Sequence, residues 1–146
     1  MFRGSTVATI DDKGRLKVPT DFRRALEERF GAEFFITSVA GDHALVYPLP
    51  VWEEIESRLS ALPATDRVKE RCLERVSYFG QQSRLDGQGR LLVPTILRSS
   101  ASMSGEVVVS ARIDHLVVWN RERFEKRLTE HPFTDEDFSL LSERGI

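Results

Sequence analysis

The sequence has one cysteine and no long hydrophobic run, and each shortage excludes a class of protein. A single thiol, Cys72, can form neither an internal disulfide nor a multi-cysteine zinc site. The longest apolar runs, at 107–109 and 115–119, are far shorter than the roughly 20 residues of a transmembrane helix. The opening residues also lack the apolar stretch of a secretory signal. We therefore expect a cytoplasmic chain that makes no membrane contact.

The sequence also lacks a large excess of charge of either sign. It has 21 basic and 23 acidic side chains among 146 residues, and 40% of its residues are apolar. This composition is typical of a folded globular protein, neither disordered nor uniformly basic. The charge is nevertheless uneven: residues 1–24 carry +3 and residues 84–98 carry +2, whereas residues 130–143 carry −5.

The two basic segments are candidates for contact with nucleic acid. Each would supply only a few phosphate contacts, and each such contact adds a small, salt-dependent increment of affinity. Useful affinity would require several copies acting together, which favours a multimer.

An internal repeat is the main feature that the sequence does have. Residues 10–20 read IDDKGRLKVPT and residues 85–95 read LDGQGRLLVPT, with seven of eleven aligned positions identical. The similarity continues downstream, where residues 42–47 align with residues 114–119. Self-similarity of this kind indicates that one small unit has been duplicated.

The repeat divides the chain into four segments. We predict a first repeat, a linking helical segment, a second repeat and an acidic C-terminal tail, at residues 1–60, 61–76, 77–129 and 130–146 respectively.

Each repeat is predicted to open with a β-hairpin. A short β-prone segment at 6–10 is followed by a turn and by an alternating segment at 16–18. In the turn, the Asp11 side chain can accept hydrogen bonds from backbone amides ahead of it, and Gly14 supplies a positive φ. Asp86 and Gly89 repeat this arrangement in the second copy.

The remaining elements follow the same order in both copies. Thr20 and Thr95 are predicted to cap short helices, and strand pairs follow at 34–39 with 44–47 and at 107–111 with 116–119. Further predicted helices have one apolar face made by Trp52, Ile55, Leu59 and Leu62, one by Val68, Cys72, Val76 and Phe79, and one by Phe124 and Leu128. Their predicted caps are Asp66 and Asn120, with a capping-box start at Thr134.

Two Asp-His pairs, Asp42-His43 and Asp114-His115, raise the question of catalysis or metal binding. Both stand in turns before strands, where aspartate is a common turn former, and no further ligands occur at suitable spacing. The turn glycines are not part of a phosphate-binding pattern. We expect no enzymatic activity, no metal, no cofactor and no small-molecule substrate.

The duplicated motif resembles that of the MraZ transcriptional regulators. The features that carry the resemblance are the opening Met1-Phe2-Arg3-Gly4, the two Asp-x-x-x-Arg motifs and the segment 47–53, YPLPVWE. The resemblance covers nearly the whole chain and is weakest beyond about residue 130.

This resemblance implies a fold and a function. The implied fold is a β-rich α+β structure, in which two AbrB-like swapped-hairpin units form one pseudo-symmetric double-split barrel with flanking helices. The implied function is sequence-specific binding of double-stranded DNA by a ring homo-oligomer associated with the nucleoid. Such a protein would bind short direct repeats upstream of its own gene and repress its own division and cell-wall gene cluster.

The motif also indicates which residues would contact DNA. Arginine matches phosphate, or the O6/N7 edge of guanine, so Arg15 and Arg90 are candidate DNA-binding residues. Lys13, Lys17 and Arg3 are candidates for contacts with the DNA backbone, which would position the protein on the double helix. The first turn is the better candidate, because the second copy has Gln88 and Leu92 where the first has Lys13 and Lys17.

Alternative interpretations remain open at this point. The two Asp–Arg motifs could be ion pairs that only stiffen turns, and Arg90 could contact an acidic group of another subunit. The chain could also be a protein-interaction module of the AbrB-like antitoxin type, with the acidic tail covering a partner. Loss of DNA binding on changing Arg15, with the fold retained, would distinguish the regulator from this module.

Overall fold

A computed structural model describes residues 2–146, so Met1 of the opening tetrapeptide lies outside the described residues. Strands and helices alternate in the same pattern in both repeats. The strands are β1 (Ser5–Ile10), β2 (Arg15–Lys17), β3 (Glu33–Thr37), β4 (Ala44–Pro48), β5 (Gln81–Arg84), β6 (Arg90–Leu92), β7 (Gly105–Arg112) and β8 (His115–Asn120). The helices are α1 (Thr20–Phe30), α2 (Leu49–Ser60), α3 (Arg67–Phe79), α4 (Thr95–Ser100), α5 (Arg121–Glu130) and α6 (Asp135–Glu143).

The eight strands form one antiparallel sheet that nearly closes on itself. Their order is β5-β3-β4-β8-β7-β1-β2-β6, so the two outermost strands belong to the same hairpin. The amide of Asp86 donates to the carbonyl of Arg90 at 3.0 Å between these two strands. The predicted fold class is therefore confirmed: a β-rich double-split barrel flanked by helices.

The repeats exchange their first strands. β1 pairs with β7 of the second repeat along its whole length, from Ser5↔Ser110 to Ile10↔Gly105. In the reciprocal arrangement, β5 pairs with β3 of the first repeat. Neither repeat therefore completes a sheet with its own strands.

Equivalent strands also meet each other across a pseudo-two-fold axis. β2 pairs with β6 around Leu16↔Leu91, and β4 pairs with β8 around Leu45↔Val117. In both cases the central partners are the residues that the sequence repeat aligns. Side chains alternate along a strand, so one face of each pair points into the barrel and the other faces outward.

The core inside the barrel is built from aligned residues of the two repeats. Each pair occupies a corresponding position on the two halves of the sheet or on its covering helices. The pairs include Leu16/Leu91, Val18/Val93, Phe22/Leu97, Ile36/Val109 and Val46/Val118, all of them buried.

Within residues 2–146, no helix is both long and apolar enough to span a bilayer.

The offset between the repeats changes because one helix is shorter. α1 has 11 residues and its counterpart α4 has six. Fewer residues therefore separate β6 from β7 than separate β2 from β3. The strands nevertheless pair in the same way in both repeats.

The predictions for helix starts are partly confirmed. Asp66 accepts from the amides of Val68 and Lys69, and Asn120 accepts from the amide of Arg123. Thr134 begins α6 with a complete capping box.

The predicted caps at Thr20 and Thr95 are wrong. α1 and α4 begin one residue earlier than a threonine cap requires, with Pro19 and Pro94 at the cap positions and no side-chain cap bond. The extended backbone of each proline (ψ 135° and 139°) sets the entry into the helix, so each threonine is already helical.

The predicted apolar face of α3 is only half correct. Val76 and Phe79 are buried, Cys72 is half-buried and Val68 is exposed, so burial decreases towards the N-terminal end of α3.

We expect the aligned core leucines to contribute alike to stability. Leu16→Ala and Leu91→Ala each remove a fully buried side chain, which costs about 2–5 kcal/mol of unfolding free energy. Leu92→Ala, at an exposed neighbouring position, should cost under about 1 kcal/mol. Urea unfolding followed by circular dichroism measures all three, and a small loss for one core leucine would contradict the equivalence of the repeats.

Candidate nucleic-acid interface

The first Asp-x-x-x-Arg turn is closed by its own aspartate. Asp11 Oδ1 accepts from the amides of Lys13 and Arg15 at 3.0 and 2.9 Å, and Asp11 Oδ2 accepts from Arg15 Nε at 2.8 Å. Gly14 follows with a φ of +84°, in the left-handed region that glycine enters at little cost. One carboxylate therefore fixes both the backbone of the turn and the direction of the arginine.

The second turn repeats this geometry almost atom for atom. Asp86 Oδ1 accepts from the amides of Gln88 and Arg90, both at 2.9 Å, and Asp86 Oδ2 accepts from Arg90 Nε at 2.9 Å. Gly89 has a φ of +74°. The ion pairs that the sequence left as an alternative are thus present in both turns.

These hydrogen bonds keep both carboxylates ionised. Donation from the backbone amide of Arg15 is the main cause that lowers the pKa of Asp11. The equivalent amide of Arg90 is the main cause that lowers the pKa of Asp86, from 3.8 to about 2. Within the described chain, the only guanidinium nitrogen that each aspartate bonds is the Nε, which leaves the two terminal nitrogens available.

Three predicted site residues share one outward face. In the β2–β6 pair, Arg15 lies opposite Leu92, and Lys17 lies opposite Arg90. These four side chains point away from the barrel, because the alternate residues Leu16 and Leu91 point into it. We call this face, made by residues 15, 17, 90 and 92, the basic ribbon.

Each turn is attached to a strand of the other repeat. The amide of Val18 donates to the carbonyl of Gly89 at 3.1 Å, and the amide of Val93 donates to the carbonyl of Gly14 at 2.9 Å. Lys17 Nζ also donates to the carbonyl of Gln88 in the second turn. The turns at the two ends of the basic ribbon are therefore held in fixed positions relative to each other.

Two further arginines cover the turns, and sequence analysis did not place them at the site. A Cβ on Gly14 would lie 2.3 Å from Arg98 Cζ, and a Cβ on Gly89 would lie 2.9 Å from Arg23 Cδ. Arg23 and Arg98 are separated by the same 75 residues as the two motifs. Following that offset beyond the motif would have identified them as an equivalent pair.

The other predicted site residues are less closely grouped. Lys13 is exposed at the tip of the first turn. Arg3 lies at the opposite end of β1, where it lines a shallow groove with Pro19 and Asp21. The structure therefore brings Arg15, Lys17 and Arg90 together but places Arg3 a strand length away from the first turn.

The two Asp-His pairs belong to a different surface. The ring of His43 stacks on Trp119 and that of His115 stacks on Tyr47, each with 4.5 Å between ring centroids. Each histidine also bonds its preceding aspartate through Nδ1, at 2.6 and 2.8 Å. These contacts join the repeats on the outer side of β4 and β8.

Across residues 2–146, no three His, Cys, Asp or Glu side chains lie together as a metal ion would need.

The fold and this site define a class of protein: a swapped-hairpin barrel that presents two Asp-x-x-x-Arg turns on one face. The profile of the family described as "MraZ protein, putative antitoxin-like" matches residues 1–75 and 80–145. The chain therefore belongs to the MraZ family.

Full-length relatives agree with this assignment. The chain is 44% identical over 146 residues to the transcriptional regulator MraZ of Acidobacterium capsulatum, with both chains covered completely. It is 38% identical over 147 residues to that of Moorella thermoacetica, covering all of this chain and 97% of the relative. It is 34% identical over 131 residues to that of Escherichia coli O127:H6, covering 89% of this chain and 86% of the relative.

We expect Gly14→Ala to destabilise the protein through two effects. The left-handed backbone costs about 1–2 kcal/mol for any residue with a Cβ, and the new methyl group must also displace Arg98. Gly105→Ala separates the effects, because Gly105 has a positive φ but no atom close to its Cβ position. Urea unfolding should give a larger loss for Gly14→Ala, and equal losses would mean that Arg98 does not restrict this turn.

The depressed pKa of Asp86 predicts a defined pH dependence. Its ionised form is favoured by folding, so its contribution to stability is present above pH 3.8 and is lost as the pH falls towards 2. Asp86→Asn should therefore be less stable than the wild type at neutral pH, and the difference should narrow between pH 4 and 2. Urea unfolding at a series of pH values tests this, and a difference that stays constant down to pH 2 would contradict it.

Proposed function

We propose that this protein is a DNA-binding transcriptional regulator that contacts the double helix through the basic ribbon. The observation that carries the proposal is the convergence of Arg15, Lys17 and Arg90 on one exposed face built by both repeats. The name of the relatives, transcriptional regulator MraZ, supports the same function class, which is not a class of enzyme.

The shape of the ribbon suits the major groove. That groove admits a two-stranded β-ribbon, and the paired β2 and β6 form such a ribbon with turns at both ends. Arg15 and Arg90 present their terminal guanidinium nitrogens to phosphate or to guanine, while their aspartates hold the Nε edge. Because the arginines are already oriented, binding costs little side-chain entropy.

The remaining site residues take supporting roles. Lys13 makes a phosphate contact at the tip of the first turn, Lys17 makes one at the end of β2 beside the second turn, and Arg3 makes one beyond the far end of β1. Asp11, Gly14, Asp86 and Gly89 shape the turns and do not themselves contact DNA.

The finer proposal concerns assembly and targets. A single ribbon offers few cationic contacts, so the protein acts as a ring homo-oligomer whose ribbons engage short direct repeats together. Its target lies upstream of its own gene, where it represses the division and cell-wall gene cluster. It works in the cytoplasm at the nucleoid and requires no cofactor.

A second candidate function is a protein-interaction module of the antitoxin type. The observation in its favour is α6, an acidic helix with no buried residue, together with the antitoxin-like description of the family. In that case the acidic helix, and not the basic ribbon, would carry the activity.

Arg15→Ala should weaken binding to the DNA upstream of the gene by about tenfold or more, since one good arginine contact contributes about 1–3 kcal/mol. The salt dependence of binding should also become shallower. Fluorescence anisotropy at several salt concentrations, with scrambled DNA for comparison, measures both quantities.

Arg58→Ala is the matched control, because it removes the same charge from an exposed position on α2, away from the ribbon. An equal loss of affinity in both variants would contradict the proposed site. A wild-type protein with no preference over scrambled DNA would instead favour the interaction module.

A further inference from the structure

The C-terminal helix α6 is formed but lies on the surface of the described chain. None of its residues is buried, and four residues, 131–134, connect it to α5. Its own capping box stabilises its first turn, and the rings of Phe133 and Phe138 meet edge to face at 4.7 Å. This contact is a hydrophobic staple, in which the residue before the cap packs on the fourth residue of the helix and fixes the direction of entry. Phe138 remains 61% exposed. The helix therefore presents a preformed apolar surface that the described chain leaves exposed to solvent.

An apolar groove elsewhere on the molecule is also uncovered. It lies between the end of α3 and the start of α4, has a volume of about 500 Å³, and is lined by Tyr78, Phe79, Ile96 and neighbouring hydroxyl groups. Tyr78 is 63% exposed and Ile96 is 45% exposed, so the groove presents two large apolar side chains to solvent.

The corresponding positions of the first repeat are charged. Its equivalent groove, 75 residues earlier, carries Arg3 where the second has Tyr78, and Asp21 where the second has Ile96. The two grooves correspond only at the start of α1 and α4, because Tyr78 lies on α3 whereas Arg3 precedes β1 outside any helix. Tyr78 and Ile96 are therefore exposed apolar residues that the other repeat does not share.

We propose that α6 of one copy docks into the α3–α4 groove of a second copy. Both apolar surfaces are unpartnered in the single chain, and their charges are complementary: α6 carries −4 and α3 carries +2. The contact joins two different surfaces of the protein, so it is head-to-tail and generates a ring when its rotation closes. The inference thereby deepens the proposed ring oligomer, on which it rests.

Disulfide trapping between two single-cysteine proteins tests the contact. In a Cys72→Ser background, Ile96→Cys and Phe138→Cys are prepared separately, one with a mass tag, and mixed under mild oxidation. Docking brings the two positions within the short Cβ–Cβ range that a disulfide requires, so a mixed dimer should form. Ile113→Cys mixed with Phe138→Cys is the matched control, because Ile113 is highly exposed at the tip of the β7–β8 turn.

Each outcome of the trapping experiment decides the proposal. A mixed dimer for Ile96→Cys but not for Ile113→Cys supports it. Equal trapping in both mixtures, or trapping in neither, overturns it. A chain carrying both Ile96→Cys and Phe138→Cys that forms only an internal disulfide also overturns it, because α6 would then occupy the groove of its own chain.

Assembly mass separates this proposal from the DNA proposal. Phe138→Asp and Tyr78→Asp should each lower the mass measured by light scattering at least twofold, and Ile113→Asp should leave it unchanged. Both variants alter exposed side chains, so circular dichroism should show the fold retained. An unchanged mass in Phe138→Asp, or a monomeric wild type, overturns the contact. Arg15→Ala should lose DNA affinity at full assembly mass, so the two proposals fail independently.

Discussion

The exchange of strands between the repeats is the constraint on which the rest of the structure depends. β1 has its long partner in β7 and β5 has its long partner in β3, so neither repeat pairs its own strands into a complete sheet. The copies therefore form one barrel and one core, in which aligned residues face each other. The same exchange brings β2 against β6 and sets the two Asp-x-x-x-Arg turns at the ends of a single ribbon.

The precision of the candidate site follows from this arrangement. Each aspartate fixes its own turn, but the position of a turn relative to the other comes from bonds between the repeats, such as Val18 to Gly89 and Val93 to Gly14. A guanidinium from the opposite repeat lies over each turn glycine. Local ion pairs at exposed positions contribute little by themselves. Within this frame they orient charged groups that would otherwise sample many conformations.

Features that depend on nearby residues could be read from the sequence. The repeat is visible as identical letters, and the hairpins, the turns at Asp11 and Asp86 and the cap at Asp66 all involve residues a few positions apart. The resemblance to a known family supplied the barrel. The positions of Arg23 and Arg98 could not be read locally, because Arg23 lies over Gly89, 66 residues away, and Arg98 lies over Gly14, 84 residues away. The caps expected at Thr20 and Thr95 were wrong because the preceding prolines determine where each helix begins.

The central claim is that the outer face of β2 and β6 meets DNA, and the chain contains its own control for a direct measurement. It has four lysines: Lys13 and Lys17 lie at the first turn and its strand, whereas Lys69 and Lys126 lie on α3 and α5. Lysine methylation can be quantified by mass spectrometry with and without DNA from upstream of the gene. We expect DNA to protect Lys13 and Lys17 and to leave Lys69 and Lys126 as reactive as in the free protein. Protection of Lys69 and Lys126, with Lys13 and Lys17 unchanged, would contradict it.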